Sequence, residues 1–282
     1  MLATAAPFLF VLLWSTGFLG AKFGLPHADP LAFLLVRYLL VIALMTSLAL
    51  AWRAPWPKNK RQWLHIGISG LLVHALYLGG VFVAIGKGLP AGITALVVGL
   101  QPLLTATVAG RLLGESVLPR QWFGLVLGFV GVALVLANKL GTGFMLDTLW
   151  PALLALLGIT AGTLYQKHFS PHFDWRSGAV AQFLPSAIVT GIIVLTTDRF
   201  RIDWTVDFIF ALGWLVLVLS IGAISLLNWL IRHGSAVNVA SLFYLTPPTT
   251  ALLAWLLFGE TLGALALVGM ALAVGGVYLS RR

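Results

Sequence analysis

The sequence predicts an all-α polytopic membrane protein, and three observations lead to this fold class. Of its 282 residues, 60% are hydrophobic and only 9% are charged, whereas a soluble domain carries roughly 25% charged residues. Apolar stretches of about 20 residues, the length that a helix needs to cross a bilayer, recur along the chain. The chain also repeats itself at a shift of 145 residues. We therefore expect ten transmembrane helices, arranged as two inverted five-helix repeats around a central cavity, and no soluble domain.

The duplication is carried by motifs that keep one spacing. A proline inside an apolar helix is followed by a Gly-Glu pair that ends this helix, and then by a glycine-studded helix. Adding 145 to each position pairs Pro102 with Pro247, Gly114-Glu115 with Gly259-Glu260, Gly124 with Gly269 and Gly131 with Gly276. Because one shift explains motifs so far apart, we interpret residues 1–140 and 146–282 as two copies of one unit.

Ten apolar segments are predicted as transmembrane spans, separated by short connections rich in Gly and Pro. No basic residue precedes the first segment and no cleavage site of small residues follows it, so we expect it to be a retained helix rather than a signal peptide. The predicted spans are Ala5–Gly24, Pro30–Trp52, Leu64–Gly86, Ala91–Leu113, Gln121–Asn138, Thr148–His168, Ser177–Thr197, Asp207–Ile231, Ala236–Phe258 and Leu262–Ser280.

The basic residues predict the orientation. With ten spans, eleven of the 17 Lys and Arg residues lie on the side of both termini, five lie on the other side, and Arg37 lies within a span. Since basic loops tend to stay in the cytoplasm, both termini are expected there. Five spans per copy is an odd number, so the second copy must enter the membrane in the opposite orientation. Inverted repeats of this kind are typical of secondary transporters, whose substrate site lies near the membrane midplane.

Several motifs carry a resemblance to a known family. They are the Gly-Glu ends of spans four and nine, the prolines inside these spans, Trp14-Ser15-Thr16-Gly17-Phe18 in span one, and Phe33-Leu34-Leu35-Val36-Arg37-Tyr38 in span two. Together they resemble the drug/metabolite transporter superfamily in its EamA-type ten-helix branch, and within that branch the YddG-type exporters of aromatic and other amino acids. The resemblance implies export of amino acids or related small metabolites across a bacterial inner membrane.

Polar side chains recur at helical spacing on five spans and predict a shared cleft, because polar groups in lipid are costly and turn toward a cavity or a partner. For a single Ser or Thr, a hydrogen bond to its own helix is the more ordinary explanation, so the prediction depends on their convergence. The predicted substrate-binding residues are Trp14, Arg37, Tyr38, His74, Tyr77, Gln101, Gln182, Asn228 and Tyr244.

Two of these residues have distinct predicted roles. Arg37 is suited to bind a substrate carboxylate through its forked guanidinium. The alternative is a structural role, in which it pairs with Asp29 or donates to free carbonyls at a helix end. His74 is the mid-span side chain whose ordinary pKa is near neutral, so it is the candidate proton carrier, with a hydrogen-bonded cavity wall as the commoner role. No Asp or Glu lies in mid-span, which disfavours lipophilic cations as substrates. Glu115 and Glu260 are interpreted as helix-end contacts.

The prolines and the missing motifs complete the prediction. Pro102, Pro247 and Pro248 each remove a backbone hydrogen bond within a span, so they are predicted hinges for rocking one half against the other.

The sequence has no H-E-x-x-H, G-x-S-x-G or Walker motif and no Cys, so we expect no enzyme activity, no cofactor and no metal. The expected partners are a small-molecule substrate and the lipid bilayer, with no nucleic acid, and the chain is expected to be a monomer. The alternatives are an exporter of nucleotide sugars, triose phosphates or lipophilic cations, an intramembrane enzyme, or a channel.

Overall fold

Helices account for nearly all of the chain that the computed structural model describes, which comprises residues 2–89, 91–137, 148–197, 200–258 and 262–281. Predicted-span residue Asn138 and the pair Gly259-Glu260 lie outside these ranges. The helical elements are α1 (Leu2–Gly24), α2 (Pro30–Ala51), α3 (Lys60–Gly86), α4 (Ala91–Val98, then Gln101–Leu113), α5 (Pro119–Leu136), α6 (Leu149–Phe169), α7 (Trp175–Thr197), α8 (Val206–His233), α9 (Ala236–Ser241, then Thr246–Phe258) and α10 (Ala264–Arg281).

Eight of these helices are long and apolar enough to cross a membrane, namely α2 to α8 and α10, counted over the described ranges. Helix α1 contains a shorter apolar stretch, Ala5–Gly17, and α9 is interrupted by a 3₁₀ turn at Leu242–Leu245. The predicted all-helical membrane fold is therefore confirmed. The count of ten spans, which also requires α1 and α9 to cross, stays a prediction.

The helix bounds follow the shift of 145 residues that the sequence shows. Adding 145 to the bounds of α5 gives the bounds of α10, and the second segments of α4 and α9 correspond in the same way. Two wide π-helical turns also correspond, Leu71–Leu78 in α3 and Leu215–Ala223 in α8. Similar local sequences thus produce the same irregular features at equivalent positions.

Helices α5 and α10 pack closely and antiparallel through glycines. A Cβ on Gly124 would lie 2.6 Å from the carbonyl oxygen of Gly276, and one on Gly269 would lie 2.5 Å from that of Gly131. Close approach of this kind needs small residues, which let two backbones meet. Because Gly124 corresponds to Gly269 and Gly131 to Gly276, the two contacts are the same contact seen from either helix. The pair α5–α10 is thus locally two-fold symmetric.

One end of the bundle is strongly basic, and it is called the basic end below. The α2–α3, α4–α5, α6–α7 and α8–α9 connections lie there. The Ser177 hydroxyl donates to the carbonyl of Pro55 at 2.6 Å, and the Gln121 amide donates to the carbonyl of Ser280 at 2.9 Å. Described basic residues on these connections and adjoining helix ends are Arg53, Lys58, Lys60, Arg61, Arg111, Arg120, Lys167, Arg176, Arg232 and Arg281.

At the opposite end, the α1–α2 connection lies against the α7–α8 connection. A single antiparallel bridge joins Ala28 to Ile202. The Asp29 backbone N–H donates to the Arg201 carbonyl at 2.9 Å, and the Asp29 carboxylate accepts the Arg201 backbone N–H at 2.9 Å. These bonds join the two connections at this end of the bundle.

Candidate functional site

Four helices, α1, α2, α3 and α8, enclose a cavity in the interior of the bundle, on the side toward the opposite end. Its volume of about 50 Å³ leaves room for only a few water molecules. Trp14, Arg37 and Tyr77 supply its polar atoms, and the other lining residues are glycine or aliphatic and aromatic side chains. The structure therefore brings three of the predicted substrate-binding residues to one cavity.

The Arg37 guanidinium is buried, at 3% exposure. Its Nε donates to the Ser220 hydroxyl at 2.9 Å, and this hydroxyl donates to the Leu215 carbonyl at 3.1 Å across the wide turn of α8. Among the described residues, no carboxylate pairs with Arg37. Asp29, the partner considered from the sequence, bonds to Arg201 instead. A buried charge without a counter-charge is costly, so an anionic ligand would be stabilised here.

An aromatic wall stands beside this guanidinium. The rings of Trp14 and Tyr77 are stacked, with centroids 6.3 Å apart and planes 13° apart. The Trp14 indole is held in turn by Phe10 and Phe243, at centroid distances of 5.2 and 5.3 Å. A cation next to stacked aromatic faces suits a ligand with a carboxylate at one end and a flat or apolar body at the other.

Three amide side chains form a closed hydrogen-bonded ring between α6, α7 and α8. Gln182 donates to Gln166 at 3.0 Å, Gln166 to Asn228 at 3.0 Å, and Asn228 to Gln182 at 3.3 Å. Gln182 also donates to the Ser69 hydroxyl of α3 at 3.2 Å. Gly70 makes this approach possible, because a Cβ there would collide with the backbone of Gln182. The structure thus brings predicted residues Gln182 and Asn228 together.

Sequence reasoning missed Gln166 and Ser220. Gln166 falls inside the predicted span Thr148–His168, and a glutamine inside an apolar segment is itself a signal of a polar partner. Ser220 lies on the π-helical turn of α8. The extra residue in that turn changes which side chains share a face, so a spacing of 3.6 residues does not assign Ser220 to the cavity.

A second and larger cavity opens between the α6–α7 connection and the second half of α8, and we call it the basic-end crevice. Its volume is about 530 Å³, and Asn228 of the amide ring lies in its lining. Helix α8 contributes to both cavities, since Leu215, Leu219 and Ile224 line the Arg37 cavity while Ile221, Gly222 and Ser225 line the crevice. Residues of one irregular helical turn, Leu215–Ala223, thus line both compartments.

Tyr38 and His74 lie behind the Arg37 cavity rather than in its lining. The Tyr38 hydroxyl donates to the His74 carbonyl at 2.8 Å, and the His74 ring stacks on Phe183 at a centroid distance of 3.9 Å. Both side chains are fully buried. The structure places these two predicted residues with each other, away from both cavities.

Gln101 and Tyr244 lie at the interruptions of α4 and α9. Both are buried, and the Gln101 side-chain oxygen and the Tyr244 hydroxyl have no hydrogen-bond partner in the described part of the chain. Gln101 lines a separate small cavity with Thr163 and Lys167. The structure therefore does not bring these two predicted residues to the Arg37 cavity.

The predicted hinge prolines each follow an interruption rather than creating a kink in a continuous helix. In α4 the turn at residues 99–100 precedes Pro102, which occupies the first turn of the next segment. In α9 the 3₁₀ turn Leu242–Leu245 precedes Pro247 and Pro248. Proline favours the first turn of a helix because its missing N–H is not needed there. The two interruptions correspond under the shift of 145 residues.

The Gly-Glu end of α4 contacts the second half of the chain. Gly114 has a left-handed backbone, with φ of 68°, which ends the helix. Both oxygens of Glu115 then accept the backbone N–H of Ala236 at 2.9 Å, at the first turn of α9. Lys167 lies 3.5 Å from the same carboxylate and donates to the Gly234 carbonyl. The interpretation of Glu115 as a helix-end contact is therefore confirmed, while Glu260 lies outside the described residues.

A bundle of apolar helices, with buried polar side chains between two cavities that face different ends, defines a membrane transport protein. Comparison with known proteins gives the particular family. The sequence model of the EamA-like transporter family matches residues 2–137 and 148–282. The chain belongs to this family, and the resemblance to the drug/metabolite transporter superfamily is confirmed.

Individual relatives are similar over nearly their whole length. The "Uncharacterized inner membrane transporter YedA" of Escherichia coli is 26% identical over 97% of this chain and 89% of its own. The "Probable amino-acid metabolite efflux pump" of Salmonella typhimurium is 27% identical over 96% of this chain and 92% of its own. A solved crystal structure with 22% identity superposes with a TM-score of 0.80 over 99% of this chain and 96% of the other, which shows the shared fold.

Proposed function

We propose that this transporter exports small carboxylate-bearing metabolites, with aromatic and other neutral amino acids as the favoured substrates, across the cell inner membrane. The single observation that carries the proposal is the buried guanidinium of Arg37, which has no carboxylate partner among the described residues and lies beside the Trp14–Tyr77 wall. The substrate carboxylate would supply the counter-charge and hydrogen-bond acceptors for the Arg37 guanidinium. The aromatic wall would pack against the apolar body of the substrate. The name of the Salmonella relative, an amino-acid metabolite efflux pump, supports the same class.

We propose further that residues 1–140 and 146–282 are two inverted five-helix repeats that together cross the membrane ten times. The antiparallel, reciprocal packing of α5 on α10 supports this, because repeat-related helices pack antiparallel only if the two units are inverted. The basic end then faces the cytoplasm together with both termini. A single chain contains both repeats, so a monomer is a complete transporting unit.

Transport would proceed by alternating access. Residues of the π-helical turn of α8 line both the Arg37 cavity and the basic-end crevice. A shift of this turn would pass the substrate from the amide ring to Arg37 without opening both ends at once. The interruptions before Pro102 and Pro247 lie at equivalent positions of the two halves and would act as hinges.

The same residues disfavour the rival substrates. A phosphate ester carries up to two negative charges and is usually held by several Arg or Lys side chains, but Arg37 is the one cation in the lining of its cavity. A lipophilic cation needs a buried carboxylate, and the described lining of this cavity contains none. A zwitterionic amino acid is better matched, because the Trp14 and Tyr77 faces can also accept its ammonium group.

Counterflow in liposomes tests the proposal. Purified protein is reconstituted with unlabelled phenylalanine inside, and uptake of trace labelled phenylalanine is followed with and without a pH gradient. We expect uptake above that of protein-free liposomes, and its near loss in Arg37→Gln. Equal uptake by the two proteins would refute the role of Arg37, and no uptake of any neutral amino acid would refute the substrate class. Dependence on the pH gradient would identify proton coupling, for which His74 is the candidate.

A further inference from the structure

We infer that the basic-end crevice is the route by which the substrate carboxylate reaches the binding site from the basic end, and that Arg232 captures it at the crevice mouth. This inference rests on the proposed function and names a specificity-determining residue far from Arg37. It gives a role to the polar stripe of α8, in which Ser225, Asn228 and Arg232 all line the crevice. These positions are spaced by three and four residues, so they form a ladder along one helix face.

The charges at the crevice mouth favour an anion. Asp174 is the acidic residue in the lining, and it is already paired with Arg176 through bonds of 2.9 and 3.1 Å. Partial burial alone would raise the pKa of Asp174, but the hydrogen bonds and charge of Arg176 outweigh it and hold this pKa below its ordinary value. Arg232 is exposed in the last turn of α8 and has no ion pair among the described residues. The mouth therefore carries one uncompensated positive charge.

The floor of the crevice provides the next contact. An asparagine amide has two N–H donors, and Asn228 uses one of them for Gln182 in the amide ring. The remaining donor is available to a carboxylate that has moved about one turn inward from Arg232. Ser225 lines the crevice one further turn along. A carboxylate can thus exchange one donor for the next without losing all of its hydrogen bonds.

The first half of the chain contains only part of this polar ladder. Subtracting 145 converts Ser225, Asn228 and Arg232 into Gly80, Val83 and Lys87, so the cation is kept but the two polar residues beneath it are not. The Lys87 ammonium lies over the Trp150 ring, 5.3 Å from its centroid. At the opposite end Gly86 packs so closely on the ring of Pro30 that no Cβ would fit between them. The Phe33 and Phe82 rings also meet there, with centroids 5.6 Å apart. The second half alone therefore provides a polar path, and this asymmetry favours loading of the substrate from the basic end.

Thiol labelling tests the route without requiring transport. The chain has no cysteine, so Ser225→Cys introduces a single thiol into the crevice. Its reaction with an anionic and with a cationic methanethiosulfonate is measured in lipid nanodiscs, where both ends are open to water. The matched control is Leu217→Cys on the same helix, at a position that is 58% exposed on the outer surface of the bundle and that lipid covers in the proposed topology.

We expect the thiol of Ser225→Cys to react readily and that of Leu217→Cys to react slowly. Arg232 lies seven residues from Ser225, about 10 Å along the helix. At this distance in water, a unit charge changes each reagent's rate by about twofold, so Arg232→Gln should lower the ratio of anionic to cationic rates by about fourfold. An unreactive thiol, or a ratio that Arg232→Gln leaves unchanged, would overturn the inference.

Kinetics separate this inference from the proposed function. In counterflow, Arg232→Gln should raise the KM for substrate supplied at the basic end and leave the maximal rate unchanged, and Arg232→Lys should restore the KM. Loss of activity in Arg37→Gln would support the proposed function. An unchanged KM in Arg232→Gln would refute the crevice route. Normal gel filtration of each variant shows that the comparison concerns folded protein.

Discussion

Replacement of Arg37 by Gln is the most informative single perturbation, because substrate binding is expected to weaken strongly while stability changes little. A hydrogen bond to a charged group contributes about 1.5–3 kcal/mol, and each 1.4 kcal/mol changes affinity tenfold. Loss of the guanidinium should therefore weaken binding of a carboxylate substrate by about 10- to 150-fold. Arg37→Lys keeps the positive charge but not the forked geometry of the guanidinium. Its affinity for the substrate should therefore lie between those of the unaltered protein and Arg37→Gln.

Stability should change little in the same variant. A structural ion pair would cost about 3–5 kcal/mol when one partner is removed, but Arg37 has no such partner among the described residues and donates only to Ser220. Loss of this one bond costs about 1 kcal/mol, and the removal of an unpaired buried charge offsets it. We expect the melting temperature in detergent to fall by no more than about 3 °C.

Binding by isothermal titration and unfolding by differential scanning fluorimetry measure the two effects on the same preparations. Arg111→Gln, at an exposed arginine near the basic end of α4, is the matched control and should alter neither quantity. A large fall in melting temperature with unchanged affinity would refute the ligand role of Arg37 and restore a structural one.

Four further predictions test other parts of the molecule. Gln166→Leu opens the amide ring and should cost about 1–3 kcal/mol, seen as a lower melting temperature, while Thr107→Val on an exposed face should not; equal melting temperatures would argue against the ring. Glu115→Ala removes the acceptor of the Ala236 N–H at the first turn of α9 and should cost about 1–2 kcal/mol, with Glu115→Gln intermediate; a neutral Glu115→Ala would contradict a stabilising contact. Pro102→Ala should change the transport rate more than the yield of folded protein, and equal loss of both would oppose a hinge. Asp174 has a lowered pKa, so its contribution to stability is present above the unfolded pKa and lost as the pH falls through the folded pKa; in Asp174→Asn this loss in acid should disappear, and an unchanged acid profile would contradict the pairing.

Much of the fold follows from local rules that act on single segments. An apolar run of about 20 residues specifies a membrane helix whatever surrounds it, so most helix bounds lie within a few residues of the predicted spans. The positions of Pro102 and Pro247 likewise indicate where α4 and α9 are interrupted, because proline cannot continue the hydrogen bonding of the helix before it. Gly114 indicates the end of α4 for a similar reason.

The site was predictable only where one residue was unusual by itself. Arg37 is recognisable as a charge inside a span, and Trp14 and Tyr77 lie too deep for an interfacial position. The pairing of Arg37 with Ser220 depends on the π-helical turn of α8, which shifts the helix face and which the sequence pattern does not reveal. His74 and Tyr77 are both predicted to bind substrate, but the His74 ring stacks on Phe183 of another helix. Which side chains of different helices contact each other depends on tertiary packing.

The basic-end crevice shows the same limit at a larger scale. Its existence depends on how α8 lies against the α6–α7 connection, while the equivalent place in the first half is filled by packing of Pro30 on Gly86. Duplicated sequences predict equivalent helices. They do not predict which of two equivalent interfaces is open.

Transport of phenylalanine compared with phenylalaninamide tests the central claim most directly, because the two molecules differ only in the carboxylate that Arg37 is proposed to bind. Both are offered to the same proteoliposomes in counterflow. The account predicts exchange of phenylalanine and at least tenfold slower exchange of the amide, a difference that disappears in Arg37→Gln. Equal exchange of the two compounds by the unaltered protein would contradict it.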